Sequence, residues 1–216
     1  MVAVKITNII TDVKLALDEN ESASNVLLAD TDQLQMDALI RSKIIDAVRY
    51  IHQAAPISMV DGQTAVGKPG YSAAWATESG ISTITLPTDF LRLVIFKMTN
   101  WTRPITNPIL DTDPEYAMQR SKYEGIKGGK EKPVAAITTN GSGSKVLEGF
   151  TSETADVEKI VYIPIPAISG EGANETVNIC AQLYQPVIYH CAGLVAMTYK
   201  DELAKDLFEI AKSYIS

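Results

Sequence analysis

The sequence has few of the side chains from which catalytic and metal sites are usually built. Among 216 residues there are only two histidines and two cysteines, and Cys180 and Cys191 lie eleven positions apart. Two thiols cannot supply a disulfide framework or a four-cysteine zinc site. We therefore expect free, buried thiols, with no catalytic residue, no cofactor-binding residue, no metal ligand and no cofactor.

Basic residues and long apolar runs are also scarce. The chain has 19 Lys and Arg against 26 Asp and Glu, a formal net charge of -7. A protein that grips nucleic acid without sequence preference needs a surplus of basic side chains. No stretch approaches the roughly 20 apolar residues of a membrane span, and residues 1–10 do not read as a signal peptide. We expect neither membrane insertion nor DNA binding.

What is present is the composition of a folded protein. Hydrophobic residues make up 46% of the chain and charged residues 21%, outside the low-hydrophobicity, high-charge range of disordered chains. A chain of this length buries roughly 70% of the surface that its unfolded form exposes. One domain with an insertion, or two small domains, is expected.

Helical spacing of apolar residues marks both ends of the chain. A first helix is predicted over residues 6–17, and a second over residues 32–54, closed by Pro56. The C-terminal region, from about 177 to 215, is predicted to be helical with Pro186 as a break or a first-turn residue. The second helix has capping candidates Asp30, Thr31 and Asp32, and its apolar stripe is Leu34, Ile40, Ile44, Val48 and Ile51.

The middle of the chain has the patterns of strands and turns. Residues 57–80 have no clear period and are predicted to be a loop that carries Tyr71 and Trp75. A short helix capped by Asp113 is predicted to run to about Tyr123. Strands are predicted at 81–86, 91–98, 134–138, 145–150 and 160–165.

This order of elements predicts an α+β fold. We expect a helical bundle of the N- and C-terminal helices, formed by residues 1–56 and 176–216 as one discontinuous domain. Residues 57–175 are expected to be a strand-rich insertion with one short helix. The alternation of strand and helix that characterises a doubly wound sheet is missing.

Three patterns suggest chemistry and fail on inspection. The segment Gly62–Lys68 matches a phosphate-binding loop until Pro69, where a hydroxyl for Mg²⁺ is required. Asp111–Glu115 starts like a calcium loop but lacks the later glycine and glutamate. His52 and His190 each stand alone on a predicted helix, where a histidine is more often a packed residue than a catalyst.

The segment around Leu86-Pro87-Thr88-Asp89-Phe90 carries a family resemblance. It is similar to the strand, Leu-Pro-x-Asp-Phe corner and strand of head-to-tail adaptor (connector) proteins of short-tailed bacteriophages. A helix pair precedes the corner in that family, as here, and Pro186-Val-Ile-Tyr-His-Cys resembles the start of its closing helix. The chain also resembles ring proteins of crAss-like phages. Leu86, Pro87, Asp89 and Phe90 would form the structural corner.

The resemblance implies a structural role without enzymatic activity. Adaptor copies form a ring, usually a dodecamer, that docks to the portal protein and offers a platform to downstream tail proteins. This chain would accordingly be a homo-oligomeric ring subunit of the virion, made in the cytoplasm of the host bacterium. DNA would pass through the lumen without specific binding, since an acidic surface repels it over about a Debye length of ~8 Å.

In a closed ring, one surface of each subunit contacts a different surface of the neighbouring subunit. The candidate interface residues are aromatic side chains in irregular or terminal sequence, namely Tyr71, Trp75, Trp101, Phe208 and Tyr214. Two other interpretations stay open. One is a different virion component, such as a tail hub or head-completion subunit, and the other is a small-molecule-binding domain or an enzyme whose site is assembled from scattered residues.

Overall fold

The fold is given by a computed structural model that describes residues 1–18, 30–76, 79–121, 123, 125–151, 153–154 and 156–216. Helices and strands are both abundant, which confirms the predicted α+β class. In chain order the elements are β1 (Val2–Lys5), α1 (Ile6–Asp18), α2 (Asp30–Ala54), β2 (Gln63–Thr64), β3 (Ser72–Ala76), β4 (Ile81–Thr85), β5 (Phe90–Met98), β6 (Ile109–Leu110), α3 (Pro114–Gln119), β7 (Ala135–Thr139), β8 (Lys145–Phe150), β9 (Val157–Pro164), β10 (Ile168–Ser169), β11 (Thr176–Ile179), α4 (Tyr184–Thr198) and α5 (Leu203–Ser213).

The chain forms two compact units. The helical unit comprises Met1–Asp61 and Ile165–Ser216, and the strand-rich unit comprises Gly62–Pro164. Helix α3 is the one α-helix that the described part of the strand-rich unit contains.

Helix α4 is the centre of the helical unit, where it packs against α1, α2 and α5. The predicted stripe of α2 is confirmed from Ile40 onward, because Ile40, Ile44, Val48 and Ile51 are fully buried. Each such side chain stabilises the fold by about 1.5–3 kcal/mol relative to an exposed one. The side chains of Leu34 and of the predicted caps Asp30, Thr31 and Asp32 lie outside the described part.

A small antiparallel sheet completes the helical unit, in the order β1-β11-β10. Strand β1 pairs with β11 from Val2 opposite Ile179 to Lys5 opposite Thr176. The C-terminal helix was predicted to begin at about residue 177, and this is wrong because Val177 and Ile179 alternate with exposed Asn178 as in a strand. Pro186 lies in the first turn of α4, where its missing N–H costs nothing.

The strand-rich unit consists of two sheets with a shared core. One has the order β2-β9-β5 and the other the order β3-β4-β8-β7-β6, in which only the β6–β7 pair is parallel. Phe96, Tyr162 and Ile160 from the first sheet meet Ile84 and Leu147 from the second in one buried cluster. Both sheets therefore turn one apolar face inward.

Two local predictions for this unit need correction. Residues 57–80 do not form one loop, since they contain β2 and β3. Helix α3 ends at Gln119, and Asp113 does not cap its amides within the described residues. The Asp113 carboxylate instead accepts a hydrogen bond from the backbone N–H of Leu110, at 2.7 Å. This hydrogen bond closes a turn at the end of β6.

Among the described helices, none combines the length and apolar character needed to cross a bilayer.

Candidate assembly surfaces

Strand β3 forms one edge of the five-stranded sheet and is exposed along its whole length. All five residues from Ser72 to Ala76 are exposed, and none of them is charged. Edge strands of soluble proteins are usually protected by lysine, proline or a bulge. An uncharged, exposed edge strand is suited to contact with another polypeptide.

Trp75 lies on β3 and not in a loop as predicted, and 40% of its surface is exposed. Its cross-strand neighbour is Ser82, and Ala73 stands opposite Ile84. Ser82 and Ile84 are buried, so Trp75 and Ala73 extend the inner face of the sheet to its edge. The indole is thus flanked by small side chains at the rim of an apolar layer.

The opposite edge of this sheet is closed by its own chain. Both backbone groups of Leu110 are used by Asp113, whose carboxylate accepts from the Leu110 N–H and whose N–H donates to the Leu110 carbonyl at 3.0 Å. The Leu110 and Met118 side chains are each 52% exposed. This edge therefore offers apolar side chains but not the main chain of Leu110. The sequence reasoning missed it, because neither residue is aromatic.

Tyr71 immediately precedes β3 and is half-buried. Its side chain packs against the core cluster of the strand-rich unit, and this burial raises the pKa of its hydroxyl. Tyr71 therefore positions the start of the edge strand, with the remaining part of its side chain still accessible.

The prediction for Trp101 is corrected by its burial. Its side chain is 2% exposed and belongs to the core of the strand-rich unit. The indole meets the ring of Phe96 edge-on, with centroids 5.1 Å apart, and passes close to Gly149, where an added Cβ would lie 3.4 Å from it. Trp101 is a core residue that leaves almost no surface for a partner.

The Leu-Pro-Thr-Asp-Phe segment makes a tight turn between β4 and β5. The Phe90 N–H donates to the Pro87 carbonyl at 3.0 Å, and Leu86 is buried. The Asp89 carboxylate accepts a hydrogen bond from the Tyr162 hydroxyl at 2.7 Å. Gln63 donates to the same hydroxyl at 3.0 Å. The aspartate of the motif thus attaches the corner to β9.

Burial and the Asp89 carboxylate both disfavour ionisation of Tyr162. The side chain is fully buried, and desolvation followed by the hydrogen bond to Asp89 raises the pKa of its hydroxyl. The ring of Phe90 stacks on that of Tyr162 with centroids 6.0 Å apart. Asp89, Phe90 and Tyr162 therefore act together as a structural joint.

A second joint, not foreseen from the sequence, attaches α3 to β8. The Tyr116 hydroxyl donates to Glu148 at 2.9 Å, and the Arg120 guanidinium binds both oxygens of the same carboxylate at 2.7 and 2.8 Å. Arg120 also lies over the Tyr116 ring, 5.0 Å from its centroid. These contacts hold α3, which carries the exposed Met118, against β8.

The C-terminal candidate Phe208 is part of the packing between α4 and α5. A Cβ at Gly193 would lie 2.7 Å from the Phe208 ring, so the absence of a side chain there allows the close approach. The ring of His190 is 5.0 Å from that of Phe208 and stacks on Tyr50 at 4.3 Å. Phe208 thus joins an aromatic stack that links α2, α4 and α5.

Tyr214 is the C-terminal candidate with an accessible surface. It is 47% exposed and stacks on Tyr189 with centroids 5.9 Å apart. Met197 and Tyr199, at the end of α4, are exposed to 58% and 60%. These two residues were not predicted as candidates, since helical periodicity alone does not show where a packed face ends.

Comparison of the sequence with models of protein families gives no match. Comparison with curated protein sequences gives none either.

The described residues contain no cluster of three or more His, Cys, Asp or Glu side chains that could hold a metal ion. Burial raises the pKa of the Cys191 thiol to about 12, and it also raises that of Cys180. Residues 63 and 64 of the rejected phosphate-loop match form strand β2. Both thiols are buried in the packing of the helical unit, and part of the phosphate-loop match is a strand.

The net charge is divided unequally between the two units. The ranges of the helical unit contain 15 acidic and 8 basic residues, whereas those of the strand-rich unit contain 11 of each. The entire formal charge of -7 thus belongs to the helical unit. The exposed edge strand β3 is part of a unit with no net charge, which does not repel a second copy of itself.

Proposed function

We propose that the chain is a structural subunit of a phage head-to-tail connector ring and has no enzymatic activity. In this proposal copies assemble side by side, usually as a dodecamer, dock to the portal protein and offer a platform to downstream tail proteins. The virion is the site of action, after synthesis in the host bacterial cytoplasm.

The observation that carries the proposal is the uncharged edge strand β3, whose five residues are all exposed and which carries Trp75. A strand edge of this kind is suited to pairing with another chain. The Leu-Pro-Thr-Asp-Phe corner that underlies the family resemblance directly follows β4 and is attached to β9 by the hydrogen bond between Asp89 and Tyr162, and β4 is the neighbour of β3. The motif therefore supports the sheet that presents the edge.

The division of charge supports the proposed passage of DNA. The acidic helical unit repels the phosphate backbone wherever it faces the lumen, over about a Debye length of ~8 Å at physiological salt. The neutral strand-rich unit carries no such penalty for contacts between proteins. We expect DNA to be neither bound specifically nor retained.

The test is the mass of the particles that the purified chain forms with and without its portal protein, measured by mass photometry. We expect small species alone and a discrete assembly of several copies on the portal. Binding of a single copy, or none, would contradict the proposal. Turnover of a substrate by the isolated chain would contradict it as well.

Two pairs of variants locate the contact. Trp75→Ala should weaken assembly by about 2 kcal/mol, roughly 30-fold, with an unchanged circular dichroism spectrum. Tyr123→Ala removes an exposed aromatic elsewhere in the same unit and is the control. Ala74→Lys should block assembly through charge on the edge, whereas Thr83→Lys puts the same charge on the exposed side of interior strand β4.

A further inference from the structure

The two histidines of the chain both belong to the helical unit, on α2 and α4. Both tryptophans belong to the strand-rich unit, which contains no histidine. Any response of the protein to protonation of histidine must therefore begin in one unit. The tryptophans report on the other.

His52 is buried at the joint between α2 and the end of β11. Its side chain is 1% exposed, and its Nε2 accepts a hydrogen bond from the backbone N–H of Cys180 at 3.4 Å. A protonated imidazole has no acceptor nitrogen, so two donors would face each other there. The sulfur of Cys180 in turn accepts from the Asp61 N–H at 3.2 Å. The hydrogen bond from Cys180 thus requires the neutral form of His52.

His190 occupies the centre of the aromatic stack between three helices. Its ring is parallel to that of Tyr50 on α2, with an interplanar angle of 1°, and lies 5.0 Å from the ring of Phe208 on α5. Both neighbours are uncharged, and neither supplies a carboxylate to a protonated imidazole. The His190 side chain is partly buried between these rings, and burial disfavours a charge placed there.

We propose that the helical unit contains a proton-operated switch, in which protonation of His52 and His190 loosens the contacts of α2 with β11, α4 and α5. The strand-rich unit stays folded in the same pH range. This inference does not depend on the proposed function.

Burial is the largest influence on both histidines, and charges of both signs lie in their surroundings. Burial first, and then the amino group of Met1, lower the pKa of His52 to about 4, and burial lowers the pKa of His190. Lys43 on α2 faces Cys191, the neighbour of His190 on α4. One carboxylate at the His52 joint is that of Asp61, whose backbone N–H binds the Cys180 sulfur and whose side chain lies 3.8 Å from the Met1 amino group.

The sign of the pH effect follows from these directions. Both histidines bind protons more weakly in the folded chain than in the unfolded chain. In the unfolded chain the pKa of histidine is about 6.5. The histidines therefore do not destabilise the helical unit above about pH 6.5. The destabilisation grows as the pH falls toward the pKa values of the histidines in the folded chain. Between pH 6.5 and 4, His52 alone shifts the folding equilibrium of its unit by roughly two orders of magnitude.

The test follows both units during titration from pH 7.5 to 3.5. Dithiodipyridine, which reacts with thiols in acid, reports on buried Cys180 and Cys191 in the helical unit, and tryptophan emission reports on the strand-rich unit. We expect at least a tenfold rise in the thiol reaction rate below pH 6, with unchanged emission. Simultaneous changes of both signals would overturn the proposal.

Carboxylates also take part in contacts of the helical unit, and variants separate their effect from that of the histidines. Asp12 accepts a hydrogen bond from Tyr184, and Glu175 pairs with Arg41. His190→Phe keeps the aromatic stack and His52→Gln keeps an acceptor, so the double variant should titrate at least about one pH unit lower. An unchanged midpoint would assign the transition to groups other than the histidines and refute the switch.

Proton NMR of the wild-type protein provides a test that does not depend on the variants. The C2 protons of the two histidines should show no titration near pH 6.5 while the helical unit is folded. A histidine that titrates at its ordinary pKa in the folded chain would overturn the proposal, whatever the variants do.

Discussion

Replacement of Tyr162 by phenylalanine tests the corner joint of the strand-rich unit. The change removes one hydroxyl, which donates to Asp89 at 2.7 Å and accepts from Gln63 at 3.0 Å. A hydrogen bond to a charged group contributes about 1.5–3 kcal/mol, and Asp89, which is partly buried, loses this donor in the variant. Gln63 stays 3.5 Å from Asp89 and partly compensates. We therefore expect a loss of about 2 kcal/mol.

The assay is urea unfolding followed by tryptophan emission, since Trp75 and Trp101 are both in the strand-rich unit. With a slope of about 2 kcal/mol per molar urea, the midpoint should fall by about 1 M. Tyr123→Phe, at a side chain that is 62% exposed, is the matched control and should stay within about 0.5 kcal/mol of wild type. A Tyr162→Phe protein as stable as this control would refute the reasoning.

A double-mutant cycle and a pH series sharpen this test. Asp89→Ala combined with Tyr162→Phe should cost less than the sum of the two single changes, because both remove the same bond. The pKa of Tyr162 is raised in the folded chain, so its contribution is present below about pH 10 and lost as the pH rises further. The wild type should therefore lose more stability than Tyr162→Phe above pH 10.

Three further predictions concern other joints. Gly170→Ala should destabilise the helical unit by more than 2 kcal/mol in thermal unfolding, because φ is +87° and the new Cβ would lie 2.5 Å from a backbone oxygen; Gly172→Ala, with φ +58° and open space, should cost about 1 kcal/mol. Glu148→Ala should cost about 1 kcal/mol, since the arginine that it binds is half-exposed, and Glu148→Gln should cost less; equal stability of all three proteins would exclude the joint. Cys180 and Cys191 should resist dithiodipyridine in native protein at pH 8 and react in denaturant, and stoichiometric labelling of native protein would contradict their burial.

The periodicity of apolar residues predicted those helices and strands that bury one of their own faces. Strand β8 occupies the predicted residues 145–150, and β4 and β5 differ from prediction by one residue at an end. In α2 the spacing of Ile40, Ile44 and Val48 is sufficient, because the burial of that face decides the conformation.

Elements that depend on a distant partner could not be predicted in the same way. Strand β1 is four residues long with little burial of its own, and it exists because β11 pairs with it. Strand β3 consists mainly of alanine, which is not favoured in strands, so its conformation depends on the pairing with β4. The start of α4 was placed too early for the same reason, since the pairing of β11 overrides a helical pattern.

The candidate residues show how far composition can identify a surface. Their position in irregular sequence flanked by glycine or proline suggested both Trp75 and Trp101, yet Trp75 is 40% exposed and Trp101 only 2%. The difference arises from sheet order, because Trp75 lies on an edge strand while the indole of Trp101 is covered by Phe96 and passes against Gly149. Sheet order is not encoded in the local sequence.

The most direct test of assembly as the working principle is electron microscopy of the chain mixed with its portal protein. Class averages should show a closed ring of identical subunits stacked on the portal, coaxial with it, and the ring should be missing when Ala74→Lys replaces the wild type. Portal particles without added density, with the wild-type chain remaining free, would contradict the account.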